Sequence, residues 1–348
     1  MNDGEYSFGK IQEEINKIIQ TSQQKALQAG QPLIVDVNSI TQKYLDDLYQ
    51  VTNRPILVYV SDFFNNQKIA LAGNDVSINL SDKDGIIEAT KTLPNGPLDI
   101  ILHSPGGSLE ATESIVDILR QKFTDIRFFI PNVAKSAATM LALSGDEIYL
   151  ASSSELGPID PQMISRKSNG EITQSPAQAI IDQFESAQTD LATNPNKLPA
   201  WIPILPMYGP SLYQDSKNAI KLSKEVVRCW LVKYMFKSLT RQRDKVNKAR
   251  RVVNYFADHR TLKSHGRRIG ITEIELNLKG ILKIKKLDDD PKLYDKVMGV
   301  YYCFLQMFQI SPAFKIIQNN FGGRYIRQLQ VQVQPPPFNI PRMPQPHP

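Results

Sequence analysis

Residues 97–162 read PLDIILHSPGGSLEATESIVDILRQKFTDIRFFIPNVAKSAATMLALSGDEIYLASSSELGPIDPQ. Their pattern decides the fold. Leu98–Leu102 is a short apolar run, the signature of a strand buried on both faces. It ends in Ser104-Pro105-Gly106-Gly107. Ala111, Ile115, Ile118, Leu119 and Lys122 then recur at helical spacing, apolar but for the last. Ile126–Ile130 predicts a second strand. It leads through Pro131-Asn132-Val133-Ala134-Lys135-Ser136 into a short apolar helix that ends near Gly145. Glu147–Ala151 predicts a third strand, running out to Gly157-Pro158-Ile159-Asp160-Pro161-Gln162. Strand, loop and helix repeated in this order imply an α/β fold with parallel strands and right-handed crossovers.

Sites in such sheets lie where strand ends meet helix N-termini. Gly106-Gly107 and Ser136 both fall at such junctions and so belong to one edge of the sheet. Paired glycines let backbone N–H groups approach a ligand with no side chain in the way. A helix start adds unpaired N–H donors. Ser136, followed by Ala137 and Ala138, is sterically open. The combination is that of an acyl-transfer site. Ser136 is the candidate nucleophile, and the N–H groups of Gly106 or Gly107 and of Ala137 form the candidate oxyanion hole. Each motif alone has a plainer reading, a turn for the glycines and an N-cap for the serine. Their order along the chain carries the weight.

A serine needs a proton acceptor. No histidine lies between His103 and His259. Asp160, Lys135 and Lys167 are the candidates near the serine in sequence. Lys167 sits in the polar turn Ser165–Gly170, Lys135 is sequence-adjacent to the serine, and Asp160 is flanked by prolines in a turn-like setting. His103 ends the first strand and has a structural reading; His265 is a distant option. The base stays open among them.

The segments LHSPGG (102–107), AKSA-x-T (134–139) and ELGPIDPQ (155–162) resemble the core of the Clp protease proteolytic subunit and signal peptide peptidase A superfamily, which shares a spiral crotonase-like fold. Within it the chain is most similar to the serine dehydrogenase proteinases. SPAQAI (175–180), LPAWIPIL (198–205), KSHGR (263–267) and QVQV (330–333) extend the resemblance over most of Pro55–Val333. Ala138 stands where that family commonly has glycine. In relatives of the Clp type the base is a histidine on the strand after the serine helix; Asp160 falls close to that place here. In the signal-peptide-peptidase type it is a buried lysine supplied from further along the chain. The resemblance implies a serine peptidase acting on peptide or protein substrates and assembly into a homo-oligomer; the residues themselves suggest no cofactor, and His259 and His265, six apart with no nearby Cys or carboxylate cluster, make a poor metal site.

Around this core, 348 residues allow two domains or one with appendages. The expected division is an N-terminal helical arm (1–50), a catalytic core (51–195), a basic helical extension with a terminal hairpin (196–333), and a proline-rich tail (334–348). Ile11, Ile15, Ile18 and Ile19 predict a helix up to Gly30, and Tyr44, Leu45 and Leu48 a short second one. Ile56–Val60 is a strand. Ser61–Ala72 is expected to pass over the site, and Ser81 to cap the next helix. Cys229 and Cys303 both read as small buried hydrophobes of a reducing compartment. The polar opening Met1–Glu5 has no signal-peptide character. The longest nearly uncharged apolar stretch, Val297–Ile310, is shorter than the ~20 residues a bilayer requires. These features set the expectation of a cytoplasmic protein.

The apolar, proline-rich segment 194–210 reads as a packed connection or a surface for a neighbouring subunit. Residues 217–251 hold twelve Lys or Arg against Glu225 and Asp244, an excess above the net +6 of the whole chain. Lys217, Lys221, Lys224 and Arg228 form one stripe, which is either a solvated helix face or an anionic-surface contact. That stripe supports an alternative function, an inactive oligomeric scaffold binding a protein or anionic partner. A third reading is crotonase-type thioester chemistry, which uses the two N–H groups and no serine. Pro291 and the acids Asp288–Asp290 predict the start of a helix to Phe308. Ala313–Ile317 and Tyr325–Val333 predict a terminal hairpin.

Overall fold

Strand and helix follow the repeating pattern of the core, and the chain on both sides of it adds to the same sheet. The computed structural model describes residues 6–30, 37–166, 172–204 and 211–330. Helices α1 (Phe8–Ala29) and α2 (Val37–Thr52) precede β1 (Ile56–Ser61). Then come α3 (Asn66–Ala72), α4 (Asp82–Lys91), β2 (Gly96–His103), α5 (Leu109–Lys122) and β3 (Phe123–Ile130). The short β4 (Val133–Ala134) leads to α6 (Ala137–Leu143), β5 (Glu147–Leu150) and β6 (Glu155–Leu156). A hairpin of β7 (Gln162–Arg166) and β8 (Ile172–Pro176) opens α7 (Ala177–Thr193), followed by α8 (Leu198–Trp201), α9 (Leu212–Lys233), α10 (Gln242–Phe256), α11 (His259–Leu262) and α12 (Ile271–Leu278). The chain closes with β9 (Ile284–Lys286), α13 (Pro291–Ile310), β10 (Ala313–Asn319) and β11 (Arg324–Gln328).

The main sheet has the order β11-β10-β1-β2-β3-β5-β9. From β1 to β9 every neighbouring pair is parallel. The predicted terminal hairpin is present, and β10 inserts antiparallel beside β1 as part of this sheet. β9 caps the opposite edge, a strand that three residues of mixed pattern could not announce.

Alternation along the strands divides two cores. Leu57, Tyr59, Leu98, Ile100, Leu102, Phe128 and Ile130 face α4, α5, α6, α9 and α10. Ile56, Val58, Val60, Ile101 and Phe129 face α1, α2 and α13. The result is three layers with the sheet in the middle. Burying one large aliphatic side chain contributes roughly 1.5–3 kcal/mol, so these two faces carry most of the stability.

Several local expectations are corrected. Ser81 does not cap α4: its side chain accepts no bond from that helix. Instead Asp82 Oδ2 accepts from Asn79 N at 2.9 Å, and Asn79 Oδ1 accepts from Ser81 N at 3.0 Å. The second helix is longer than the short one expected, because Ile40 and Tyr44 pack on α13 along its length. Cys303 is buried, whereas Cys229 is exposed on α9. Leu198 and Ile202 are exposed, and Leu205, Met207 and Tyr208 lie outside the described residues. On α9, Lys217 and Lys221 are exposed while Lys224 and Arg228 are half-buried. Among the described residues no helix is long and apolar enough to cross a membrane.

Candidate active site

The edge formed by the C-terminal ends of β1, β2 and β3 gathers the predicted residues. After β2, Ser104 continues in a ladder with the next loop. Its N–H donates to Val133 O at 3.0 Å, and Lys135 N donates to Ser104 O at 3.1 Å. The glycines follow at φ 97° for Gly106 and 152° for Gly107. A methyl on Gly106 would stand 2.5 Å from Lys135 O, 2.8 Å from Ser136 Cβ and 3.0 Å from Ala137 N. A methyl on Gly107 would stand 2.1 Å from Ile78 O. Both positions therefore require glycine, by backbone angle and by space.

On its other side the turn is held by the chain between α3 and α4. Ile78 N donates to Gly106 O at 2.7 Å, and Ser108 N donates to Ile78 O at 2.9 Å. Residues 77–79 thus brace the glycine turn, and Ser61–Ala72, the segment expected to pass over the site, makes none of these bonds. Residues 66–72 form α3, where Lys68 reaches the carbonyls of Phe308 and Ala313 and pairs with Asp62 at 3.0 Å.

Ser136 has φ 50° and ψ −121°, a left-handed conformation that costs a non-glycine residue ~1–3 kcal/mol. It stands at the turn from β4 into α6, half-buried, and its side chain caps no N–H of that helix. Ser136 Oγ has no hydrogen-bond partner among the described residues. The same holds for the N–H groups of Ala137 and Gly107. Gly106 N is differently placed: it donates to Ser104 Oγ at 3.2 Å. Of the two glycines, Gly107 is the one with a donor to spare.

Thr139 ties the serine loop to the following strand. Its Oγ1 donates to Ala134 O at 2.7 Å and accepts from Gly157 N at 2.9 Å. β4 and β6 run parallel, with Ala134 opposite Leu156. Leu156 in turn exchanges both backbone bonds with Ile269, at 3.0 Å each. This single antiparallel bridge brings the turn at residues 264–267 alongside the chain that runs from Leu156 to Asp160.

Asp160 is 3% exposed. Its Oδ1 is 2.7 Å from His265 Nδ1 and its Oδ2 is 3.0 Å from His259 Nδ1. Gln162 Nε2 adds a bond to Oδ2 at 3.2 Å. His259 and His265 are the pair at Asp160 that local sequence reading underrated. The signal for them was indirect: KSHGR stands out in an otherwise basic stretch, but only tertiary pairing brings it to Asp160.

The remaining candidates separate clearly. Lys135 Nζ pairs with Glu155 at 3.1 Å and donates to the carbonyls of Leu156, Gly266 and Arg267 at 3.3, 3.5 and 3.1 Å. Burial pushes its ammonium pKa down, while Glu155 opposes that shift. These contacts make it a clamp between strands. His103 is fully buried among Phe63, Phe64 and Tyr301. Its Nδ1 accepts from Val133 N at 3.4 Å, and burial lowers its pKa to about 3, leaving it neutral and structural. Lys167 lies outside the described residues. Among the described residues no three His, Cys, Asp or Glu side chains are grouped to hold a metal ion.

The chain is similar to several known proteins. Two uncharacterized proteins of Methanocaldococcus jannaschii are similar in sequence, one 29% identical over 148 residues and the other 32% identical over 108. The matches span 42% and 31% of this chain and 49% and 34% of those proteins, so the chain spans half or less of the curated relatives it matches. Two solved chains of the 1510-N membrane-bound stomatin-specific protease also align. One is a serine-to-alanine mutant, with TM-score 0.34 and 15% identity over 63% of this chain and 79% of that one. The other is a lysine-to-alanine mutant in complex with a substrate peptide, with TM-score 0.26 and 19% identity over 65% of this chain and 93% of that one. A family model described as ClpP-like SDH-type serine proteinase matches residues 57–194, which run from β1 through the glycine turn, the serine loop and Asp160 to the end of α7. Over that segment the chain is similar to the ClpP-like SDH-type serine proteinases.

Proposed function

We propose that this protein is a serine peptidase in which Ser136 attacks the substrate carbonyl and the N–H groups of Gly107 and Ala137 hold the oxyanion. One observation carries the reading: the strained backbone of Ser136 is packed directly against Gly106, beside two backbone N–H groups without partners. Strain held at a strand-to-helix turn exposes a hydroxyl that an ordinary N-cap serine would turn onto its own helix. Gly106 serves by letting the turn approach the serine, while its own N–H is spent on Ser104 Oγ. Gly107 and Ala137 then stabilise the negative oxygen of the tetrahedral intermediate. Removing one such donor costs ~10²–10³ in rate in known hydrolases.

In the first step the Ser136 Oγ–H bond breaks as Oγ bonds to the carbonyl carbon. The peptide C–N bond then breaks, the amine leaves with a proton, and water hydrolyses the acyl-serine. Thioester chemistry without a serine would use the same two N–H groups, but it gives no role to the strain at Ser136.

The test is labelling of the full chain with a fluorophosphonate, read by intact mass and peptide mapping, beside Ser136→Ala. The expected result is one adduct on Ser136 in the parent and none in the variant, together with Ser136-dependent cleavage of an unfolded protein substrate. An adduct that persists in Ser136→Ala, or cleavage that survives it, rejects the proposal.

A further inference from the structure

We infer that α10, with the turn that leads into it, is a docking face for the phosphate backbone of a DNA duplex. This goes beyond the peptidase reading and does not depend on it. Residues 217–251 carry twelve Lys or Arg against two acids, a net +10, whereas the whole chain is +6. The rest of the chain is therefore net −4. Positive charge is concentrated on α9, α10 and the turn between them, two helices that pack on each other. Such segregation creates a local field that draws anions to one surface.

The structure separates engaged cations from unengaged ones. Lys237 pairs with Asp146 at 2.5 Å. Lys245 donates to Lys237 O at 3.2 Å, and Lys248 to Gly280 O at 3.4 Å. Lys217 donates to Tyr213 Oη at 3.1 Å. Arg241, Arg243, Arg250 and Arg251 are different. All four are exposed, and among the described residues their guanidinium groups have no hydrogen bond or ion pair. A solvated helix face usually sets acids three or four residues from its cations. Here Asp244 is the single acid of α10, and no acid stands within four residues of Arg250 or Arg251. The arginines repel one another, and a bound polyanion relieves that repulsion.

Helix packing arranges them. Ala249, Val252, Val253 and Phe256 are buried and hold α10 to the core. Arg243, Asn247, Arg250, Arg251 and Asn254 are exposed and recur at helical spacing, so they share the outward face. Arg241 extends that face at the helix start.

The chemistry of the face selects its partner. A guanidinium forks onto phosphate oxygens in a bidentate fashion, and asparagine adds neutral donors. A helix lying on a membrane turns an apolar side to the lipid; α10 has already buried its apolar side in the protein. A protein partner would meet an apolar centre with a polar rim, and the outward positions of α10 hold no apolar residue. They hold no aromatic ring either, so unpaired bases find nothing to stack on. The phosphates of a duplex remain. Arg243 and Arg250 stand two turns apart, about 10 Å along the helix. The major groove of B-form DNA is ~12 Å wide, so the two side chains reach phosphates on its opposite sides. The deep, narrow major groove of A-form RNA offers no such pair. With phosphate contacts alone, binding is independent of sequence and falls steeply with salt.

The experiment measures binding of the full chain to a fluorescein-labelled DNA duplex by anisotropy, over about 50 to 300 mM salt. It compares the parent with the double variant Arg250→Ser/Arg251→Ser. A control, Lys83→Ser/Lys91→Ser, removes the same charge from exposed positions on α4. Thermal melts establish that all three are folded. Four phosphate contacts predict a slope of log K against log salt near −3.6, at about −0.9 per contact. The arginine variant is expected to bind at least 10-fold more weakly at low salt, with a slope shallower by about 2. The control is expected to change affinity less than 3-fold, and duplexes of unrelated sequence to bind alike. Failure of the parent to bind DNA at the lowest salt overturns the inference. So does an equal loss in arginine variant and control, which would reduce the effect to net charge. Tighter binding to an RNA duplex, to polyglutamate, or to vesicles of equimolar phosphatidylserine and phosphatidylcholine overturns it as well. None of these outcomes touches the labelling of Ser136, so the peptidase reading stands or falls separately.

Discussion

Gly106 and Ser136 are packed so closely that a methyl group on the glycine would stand 2.8 Å from the serine Cβ and 2.5 Å from the Lys135 carbonyl. In the proposed mechanism this close approach sets the Gly107 and Ala137 N–H groups beside the serine. Gly106→Ala is expected to cut Ser136 labelling by 100-fold or more, since the turn must retreat from the serine and its φ of 97° is unfavourable to any side chain. The fold should survive with a modest loss of melting temperature. Gly107→Ala meets a backbone oxygen at 2.1 Å and is expected to destabilise the protein more strongly. Labelling rates and thermal melts of both variants check this; parent-like labelling of Gly106→Ala would sink it.

Lys135 distinguishes two kinds of serine hydrolase. If it were the base, Lys135→Arg would be inactive, because guanidinium does not give up a proton near neutral pH. As a clamp between Glu155 and the carbonyls of Leu156, Gly266 and Arg267, it can be replaced by another long cation. Lys135→Arg is expected to retain labelling within about 10-fold. Lys135→Met, which removes the donors and among the described residues leaves Glu155 with the weaker Arg268 contact at 3.6 Å, is expected to lose more. Labelling of the two variants side by side decides between base and clamp.

These contacts show what the sequence could and could not reveal. The strand-helix repeat, the two glycines and the serine were legible because each rests on local rules: apolar runs, turn residues and a helix start. So were α13, with Pro291 in its first turn and Asp290 capping Leu293 N at 3.0 Å, and the β10–β11 hairpin. That β10 enters the main sheet beside β1 was not legible, because register across some 250 residues leaves no local trace. The same holds for His259 and His265, about a hundred residues beyond Asp160. Asp82 lies in the first turn of α4, but its ion-pair partner was not legible either. That partner, Lys315, comes from β10.

Lys315 and Asp82 form a fully buried ion pair at 2.8 Å, completed by Tyr59 Oη donating to Asp82 at 2.8 Å and by the Ser77 carbonyl accepting from Lys315 at 2.7 Å. The network fixes residues 77–82, whose Ile78 backbone supports the glycine turn. Removing one member leaves the other charged, buried and unpaired, at a cost of ~3–5 kcal/mol. Lys315→Met and Asp82→Asn are each expected to destabilise by about that much. The double variant should cost less than the sum, since neither charge is then left alone. Denaturant unfolding of the three variants measures the coupling; additive losses would show that the pair is not an energetic unit.

His103 sets a limit on acid stability. It is buried against Phe63 and Tyr301, its Nε2 has no partner among the described residues, and its pKa falls to about 3 because burial disfavours the charged ring. In the unfolded chain the same group titrates near ~6.5. Between these values the unfolded state binds a proton that the folded state refuses. Stability is therefore full above the unfolded pKa and declines as pH falls through the window below it, by up to ~1.4 kcal/mol per pH unit. His103→Leu removes this titration, at the cost of the acceptor for Val133 N. The variant is expected to be less stable at pH 7 yet to lose less stability between pH 6 and 4 than the parent. Urea midpoints at pH 7, 6, 5 and 4 test this. Parallel pH curves for the two proteins would mean that His103 is protonated in the folded state and that the aromatic cage does not exclude its charge.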